Sequence, residues 1–202
     1  MASDFHTHNP EPQIRALISS EHSLPGLLTS FEYHPWKMPS FFDRSKLPEP
    51  AQLISFAALG ETGIDKLRGS SPEIQQCYFN ALLQVAHECK KPVVIHCVRA
   101  WQEIFSLLKP YRLQVMFHGF RGSPELLQEL WKRNYTVSFH PLVCRSSGLL
   151  SMLKNAGGRY GFESDDDTEI SVPQVIEKAG TLTGIADMEK ITDQNFADFL
   201  EI

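Results

Sequence analysis

The sequence contains no run of about 18 apolar residues, the length a membrane-spanning helix requires. Its first residues, MASDFHTH, put Asp4 and His6 where a secretory leader needs uninterrupted apolar side chains. No membrane association and a cytoplasmic location are therefore expected. Cysteine is scarce: Cys77, Cys89, Cys97 and Cys144 stand far apart, with no CxxC pair. That pattern excludes a disulfide framework or zinc knot and fits reduced, mostly buried thiols. Positive charge is also short, with 19 Lys and Arg against 24 Asp and Glu and a net charge of −5. A general attraction for duplex DNA is excluded, so any contact with nucleic acid has to be local to a site. Neither a repeat nor a low-complexity linker divides the 202 residues. One domain spanning 1–202 is expected, at the short end of the range for a barrel of alternating strands and helices.

Short apolar runs predict eight strands, at 2–7, 14–19, 27–33, 53–60, 92–96, 113–118, 135–139 and 159–163. Helices between them announce their starts. Ser71-Pro72-Glu73 and Ser123-Pro124-Glu125 each combine an N-cap, a proline at the first helical position and an acid in the first turn. The first leads a stripe of Ile74, Tyr78, Leu82, Val85, Ala86 and Cys89, and the second leads Leu126, Leu127, Leu130 and Trp131, closed near Asn134. Further helices are predicted over 100–109, over 147–156 before a Gly157-Gly158 stop, and in a tail over 172–179, 184–191 and 193–200. Met116, Phe79, Phe117 and Phe139 fall at core spacing. Alternation of this kind means parallel strands joined by crossover helices, and eight of them favour a TIM-type (β/α)8 barrel. Between His8 and His34 the connections are too short for full helices, so the first crossovers of this compact barrel are expected to be shortened.

Polar residues stop several of these strands. His6 and His8 end the first, His34 the third, Glu61 the fourth, His96 the fifth, His118 the sixth and Asp165 the eighth. In such a barrel the C-terminal strand ends face the active site. His6, His8, Glu61, His96, His118 and Asp165 have the composition of a two-metal hydrolytic centre, since imidazoles suit zinc, manganese or iron and carboxylates bridge cations.

The pieces DFHTH (4–8), EYHPW (32–36), GETGID (60–65), PVVIH (92–96), FHGFRG (117–122) and ESD (163–165) follow one another in an order that resembles the TatD family of metal-dependent hydrolases. The resemblance implies two divalent ions, magnesium, manganese or zinc. His6 and His8 with Asp165 would hold one, His96 and His118 the other, and Glu61 would bridge them. Asp165 would also take the proton of the attacking water, so the catalytic pair would be Asp165 and Glu61. His34 would be a substrate or phosphate contact, or would support the ligands.

Arginines near these positions match phosphate geometry. Arg68 and Arg99 are candidate substrate contacts, with Arg121 and Lys66 behind them, though each can equally be a solvated or paired surface charge. Trp36 and Trp101, just past His34 and His96, can either stack a base or pack on the rim. Asp65 is expected to orient a ligand or loop, and Glu163, on the same side of its strand as Asp165, to hydrogen-bond a ligand histidine. His22, His87 and His140 receive no metal role. Besides the short His8–His34 stretch, two features depart from the family. The basic position expected just after His96 is displaced to Arg99, and Asp166-Asp167-Thr168 follow Asp165, where acids repel a polyanion.

The expected activity is metal-dependent phosphodiester hydrolysis, that of a TatD-like deoxyribonuclease acting on DNA, with no obligate protein partner. The alternative keeps the metal centre and changes the substrate to a small phosphoester or an acyl ester or amide, such as an aminoacyl-tRNA ester.

Overall fold

The computed structural model describes residues 1–154 and 158–202. Among them eight strands, β1 (Ser3–Thr7), β2 (Arg15–Ser20), β3 (Leu28–Phe31), β4 (Ala58–Asp65), β5 (Val93–Val98), β6 (Val115–Phe117), β7 (Thr136–Phe139) and β8 (Tyr160–Phe162), form a closed barrel in chain order. The pairings β1–β2, β1–β8, β3–β4, β4–β5, β6–β7 and β7–β8 are all parallel. Helices follow the later strands: α1 (Pro72–Cys89), α2 (Trp101–Leu108), α3 (Pro124–Lys132), α4 (Ser147–Lys154), α5 (Val172–Thr183) and α6 (Met188–Leu200). No α-helix precedes β4 among the described residues. The connection from β3 to β4 is made by three short 3-10 turns instead.

Ser71 and Ser123 cap α1 and α3 as their sequences announce, each accepting the amide three residues on. Asn134 takes the left-handed conformation (φ 63°) just past α3. Phe79, Met116, Phe117 and Phe139 are buried.

Four expectations need correction. The fourth strand runs from Ala58 to Asp65 rather than over 53–60. Residues Pro50–Leu53 form a 3-10 turn, held by a reciprocal box between Glu49 and Gln52, and the glycines of GETG continue the strand. Secondly, the tail has two helices instead of three. Gly184, left-handed at φ 75°, ends α5, and α6 then runs unbroken through 193. Thirdly, α2 covers only Trp101–Leu108 of the expected 100–109. Fourthly, the thiols are less buried than their spacing suggested: Cys77 is exposed, Cys89, Cys97 and Cys144 are half-buried, and all four are free. The expected end of the fourth helix at 155–156, and Gly157, lie outside the described residues.

The chain divides into two compact units. One comprises Met1–Ile18 and Met116–Ile202, the other Ser19–Val115. In the first, Phe5 packs edge-on against Phe196 of α6 at 5.2 Å, and Arg15 lies over the same ring while pairing with Asp193. Phe5 therefore faces the helix layer. Strand alternation then turns its neighbours Asp4 and His6 to the opposite face.

In the second unit β4 and β5 lie in close register, with Gly63 opposite His96. Gly63 adopts φ 149°, and a Cβ there would meet the backbone oxygen of His96. Gly60, at φ 128°, presses on the carbonyl of Val94 in the same way. These glycines let the strand bearing Glu61 lie directly against the strand bearing His96.

Candidate metal centre

Within the first unit, His6, His118 and Asp165 each offer a ligand atom, all within 4.8 Å of one another. The rings of His6 and His118 lie 4.4 Å apart between centroids, and those of His6 and His8 lie 5.1 Å apart. Asp165 Oδ1 is 3.8 Å from Nε2 of both His6 and His8. The backbone sets this up. Asp165 N donates to His6 O at 3.0 Å, His8 N donates to Asp165 O at 2.8 Å, and a left-handed turn at Asp165 (φ 58°) projects its carboxylate.

Two buried carboxylates support these residues. Glu163, fully buried after β8, has Oε1 3.7 Å from His118 Nδ1 and accepts a short hydrogen bond from the Ser138 hydroxyl. Burial alone would raise its pKa. The hydrogen bond and charge of His118, the charge of His6 and the Ser138 hydroxyl outweigh that and hold it below the usual carboxylate range. Asp4 accepts from the His6 amide at 3.2 Å, the Ser164 amide at 3.2 Å and the Ser164 hydroxyl at 2.6 Å. Here burial prevails over the hydrogen bonds and pushes the carboxyl up to about 7. Through Ser164 and Thr7, whose hydroxyl donates to Asp165 O at 3.3 Å, Asp4 is linked to the turn that aims Asp165.

The second unit brings together His34, Glu61 and His96, again with ligand atoms within 4.8 Å. His34 Nε2 lies 3.0 Å, and His96 Nδ1 2.5 Å, from the same oxygen, Glu61 Oε1. His34 Nδ1 accepts the Trp36 amide at 3.1 Å, which fixes the ring and leaves Nε2 toward Glu61. Asp65 Oδ2 receives the Trp36 indole at 2.6 Å and faces His96 Nε2 at 3.4 Å. Burial works to raise the pKa of Asp65, but the hydrogen bonds from Trp36, the Leu67 amide and His96 hold it low. A cavity of about 480 Å³ opens beside His34, lined among others by Phe31, Tyr33 and Lys37. The Lys37 ammonium is held between Glu21 (2.9 Å) and Glu32 (2.8 Å).

Gln75, fully buried on α1, fixes the loop after β4. Its Oε1 accepts the Asp65 amide at 2.7 Å, and its Nε2 donates to the carbonyls of Asp65 (3.0 Å), Arg68 (2.8 Å) and Ser70 (2.7 Å). Gln75→Leu keeps the volume and orphans these groups. A stability loss of about 2 kcal/mol or more is expected in urea denaturation, because buried unsatisfied groups bear their full desolvation penalty.

The residues singled out in the sequence fall as follows. His6, His118 and Asp165 gather with His8 beside them, and Glu61 gathers with His96. His34 stands among potential ligands, at the same carboxylate oxygen as His96. Arg68 lies over the Trp36 ring, while Arg99 and Arg121 are exposed, Arg99 in left-handed backbone (φ 56°). Lys66 is paired with Glu103 at 2.5 Å. His140 caps the turn after β7 by accepting the Leu142 amide. Sequence reasoning passed over Asp4, Ser138, Ser164 and Gln75. For Asp4 a signal was present, since it lies two residues before His6 on the same strand face.

Imidazole and carboxylate donors converging in this way match what zinc, manganese or iron take, and both donor groups fit a divalent ion. Comparison with known proteins agrees. The family model described as TatD related DNase matches residues 5–201. An uncharacterized metal-dependent hydrolase of Methanocaldococcus jannaschii is 29% identical over 77% of this chain and 68% of its own length. The 3'-5' ssDNA/RNA exonuclease TatD of Enterobacter lignolyticus is 33% identical over 46% of this chain, a match spanning only 38% of that enzyme. Among solved structures, a TatD homolog from Escherichia coli superposes with a TM-score of 0.75 over 100% of this chain and 98% of the other, at 16% identity. A TatD family hydrolase from Entamoeba histolytica gives 0.72 over 98% and 97%, at 14% identity. At such identities these superpositions speak for the fold. The chain belongs to the TatD-related DNase family, a family of metal-dependent hydrolases.

Proposed function

We propose that the chain is a phosphodiesterase of this family, acting on single-stranded nucleic acid with two divalent ions, and that 1–202 is its one catalytic domain. The observation that carries the reading is the pair of donor groups, His6, His118 and Asp165 in one unit and His34, Glu61 and His96 in the other. Divalent ions, when bound, supply Lewis-acid activation of water and of the phosphoryl oxygens. Asp165, projected from its turn beside His6 and His8, accepts the proton of the attacking water. Glu61 would hold an ion together with His34 and His96, and Glu163 and Asp65 keep His118 and His96 oriented.

The test uses purified protein loaded with magnesium, manganese or zinc and labelled single-stranded DNA. Cleavage is expected, and His96→Ala and Asp165→Ala are each expected to abolish it. Elemental analysis should find about two ions per chain, falling to about one in His6→Ala. Cleavage that survives both active-site substitutions refutes the reading. A second reading, an acyl ester or small phosphoester as substrate, is favoured by one observation. Asp166, Asp167 and Glu169 are exposed just beyond Asp165, where they oppose a polyanion. Activity confined to acyl substrates would replace the first reading with the second.

A further inference from the structure

We infer that Trp36 and Arg68 form a preassembled platform that binds one nucleotide of a single strand beside the donor group of the second unit, Trp36 stacking the base and Arg68 pairing with the adjoining phosphate. The inference rests on the phosphodiesterase reading above and narrows its substrate to strands carrying bases.

Trp36 is a large aromatic left 46% exposed, yet it is anchored on several sides. Its amide donates to His34 Nδ1 at 3.1 Å and its indole N–H donates to Asp65 Oδ2 at 2.6 Å. Its ring meets the rings of His34 and His96 edge-on at 4.6 and 5.7 Å. An indole held this way loses little freedom when something stacks on it. Three of its neighbours, His34, His96 and Asp65, are also those tied to Glu61 or to each other, so the platform and the donor group share one frame.

Arg68 reaches the ring from a loop that is equally fixed. Gln75 holds the carbonyls of Asp65, Arg68 and Ser70, and Gly69, at φ 84°, lies so near Pro35 and Trp36 that a Cβ would meet both. The guanidinium sits 4.7 Å over the indole centroid. No salt bridge among the described residues engages Arg68, whereas nearby Lys66 is taken by Glu103 and Lys37 by Glu21 and Glu32. Arg68 is thus a cation retained by an aromatic face alone. An exposed cation–π contact is worth only about 0.5–1 kcal/mol, so a base displaces it from the ring readily. The freed guanidinium then meets a phosphate bidentately. An aromatic face and a releasable cation match the repeating unit of a single strand, a base next to a phosphate. A base-free acyl ester uses neither.

The test measures binding to the full chain bearing Asp165→Asn, which suppresses cleavage, with a labelled short oligothymidylate and an abasic strand of equal length. The oligothymidylate should bind roughly tenfold tighter than the abasic strand. Trp36→Leu should reduce that ratio to about one, and Trp36→Phe should keep most of it, since the phenyl face remains. Arg68→Ala should weaken the oligothymidylate and lower its slope of log affinity against log salt by about 0.7, with a smaller effect on the abasic strand, where no base lifts the guanidinium from the ring. A ratio unchanged in Trp36→Leu, or absent from the start, overturns the inference. Cleavage of labelled single-stranded DNA by the unsubstituted, metal-loaded protein separates the two proposals. Cleavage there with no base-dependent binding refutes the platform and leaves the phosphodiesterase. Base-dependent binding lost in Trp36→Leu, with no strand cleaved, upholds the platform and refutes the phosphodiesterase.

Discussion

Glu61→Gln is expected to lower turnover by about a thousandfold, ~4 kcal/mol of barrier, in protein that still folds cooperatively. The substitution keeps the side-chain shape and removes one charge at a point where two histidines meet. His34 Nε2 and His96 Nδ1 approach the same oxygen of Glu61, at 3.0 and 2.5 Å. The side chain is only 3% exposed, so water cannot take the place of the lost charge. An amide oxygen is a weaker ligand for a hard cation, and an amide NH2 rotated into this position would face the histidines with a donor instead of an acceptor. Metal content should fall with activity. The checks are the rate on single-stranded DNA, elemental analysis and a thermal melt on one preparation. Activity within tenfold of the parent protein would remove Glu61 from the centre.

Gly63→Ala is expected to cost at least about 3 kcal/mol of stability. Two penalties coincide there. At φ 149° the backbone conformation disfavours any side chain, and the new Cβ would meet the carbonyl oxygen of His96, with its carbonyl carbon at 2.9 Å and its amide nitrogen at 3.1 Å. A backbone neighbour cannot rotate aside as a side chain does. Relief requires β5 to move, and His96 moves with it, so metal affinity should drop along with the urea midpoint. Gly26→Ala is the control, because Gly26 has φ 77° and a methyl group added there would have nothing within 4 Å. It bears the conformational penalty alone, roughly 1 kcal/mol. Equal losses at the two positions would show that the packing of β4 on β5 is not what Gly63 protects.

The same glycines explain why β4 was hard to delimit from the sequence. GETG reads as a turn because glycine and a charged residue interrupt an apolar run. Here the glycines instead admit a neighbouring backbone, a tertiary fact without local signature. Strands bounded by ordinary residues, such as β5 and β7, were legible from their apolar runs, and α1 and α3 from Ser-Pro-Glu. Most of the site was legible for a related reason: an apolar run stopped abruptly by His96 or His118 leaves its mark in one place in the chain, although β5 itself runs on to Val98. Residues acting across the sheet leave none. Ser138 matters through Glu163 just past the next strand, and Ser164 through Asp4 about 160 positions away. Gln75, in the first turn of α1, acts on the loop just before it through carbonyls that no local pattern marks. His34 differs again. Its strand-end position was visible, but only the position of Glu61 reveals that it shares an oxygen with His96.

The two donor groups also differ in how far along the chain their members lie. Glu61 is 27 positions from His34 and 35 from His96. The contacts that frame His6 and Asp165 join residues 160 apart. Closing the longer span costs about 1.3 kcal/mol more in chain entropy than closing a 35-residue one. During folding, the residues of the 34–96 group can therefore meet while the ends of the chain are still apart, and the 6–165 group completes only when those ends come together. One group gathers from a continuous stretch of chain, and the other works as a clasp.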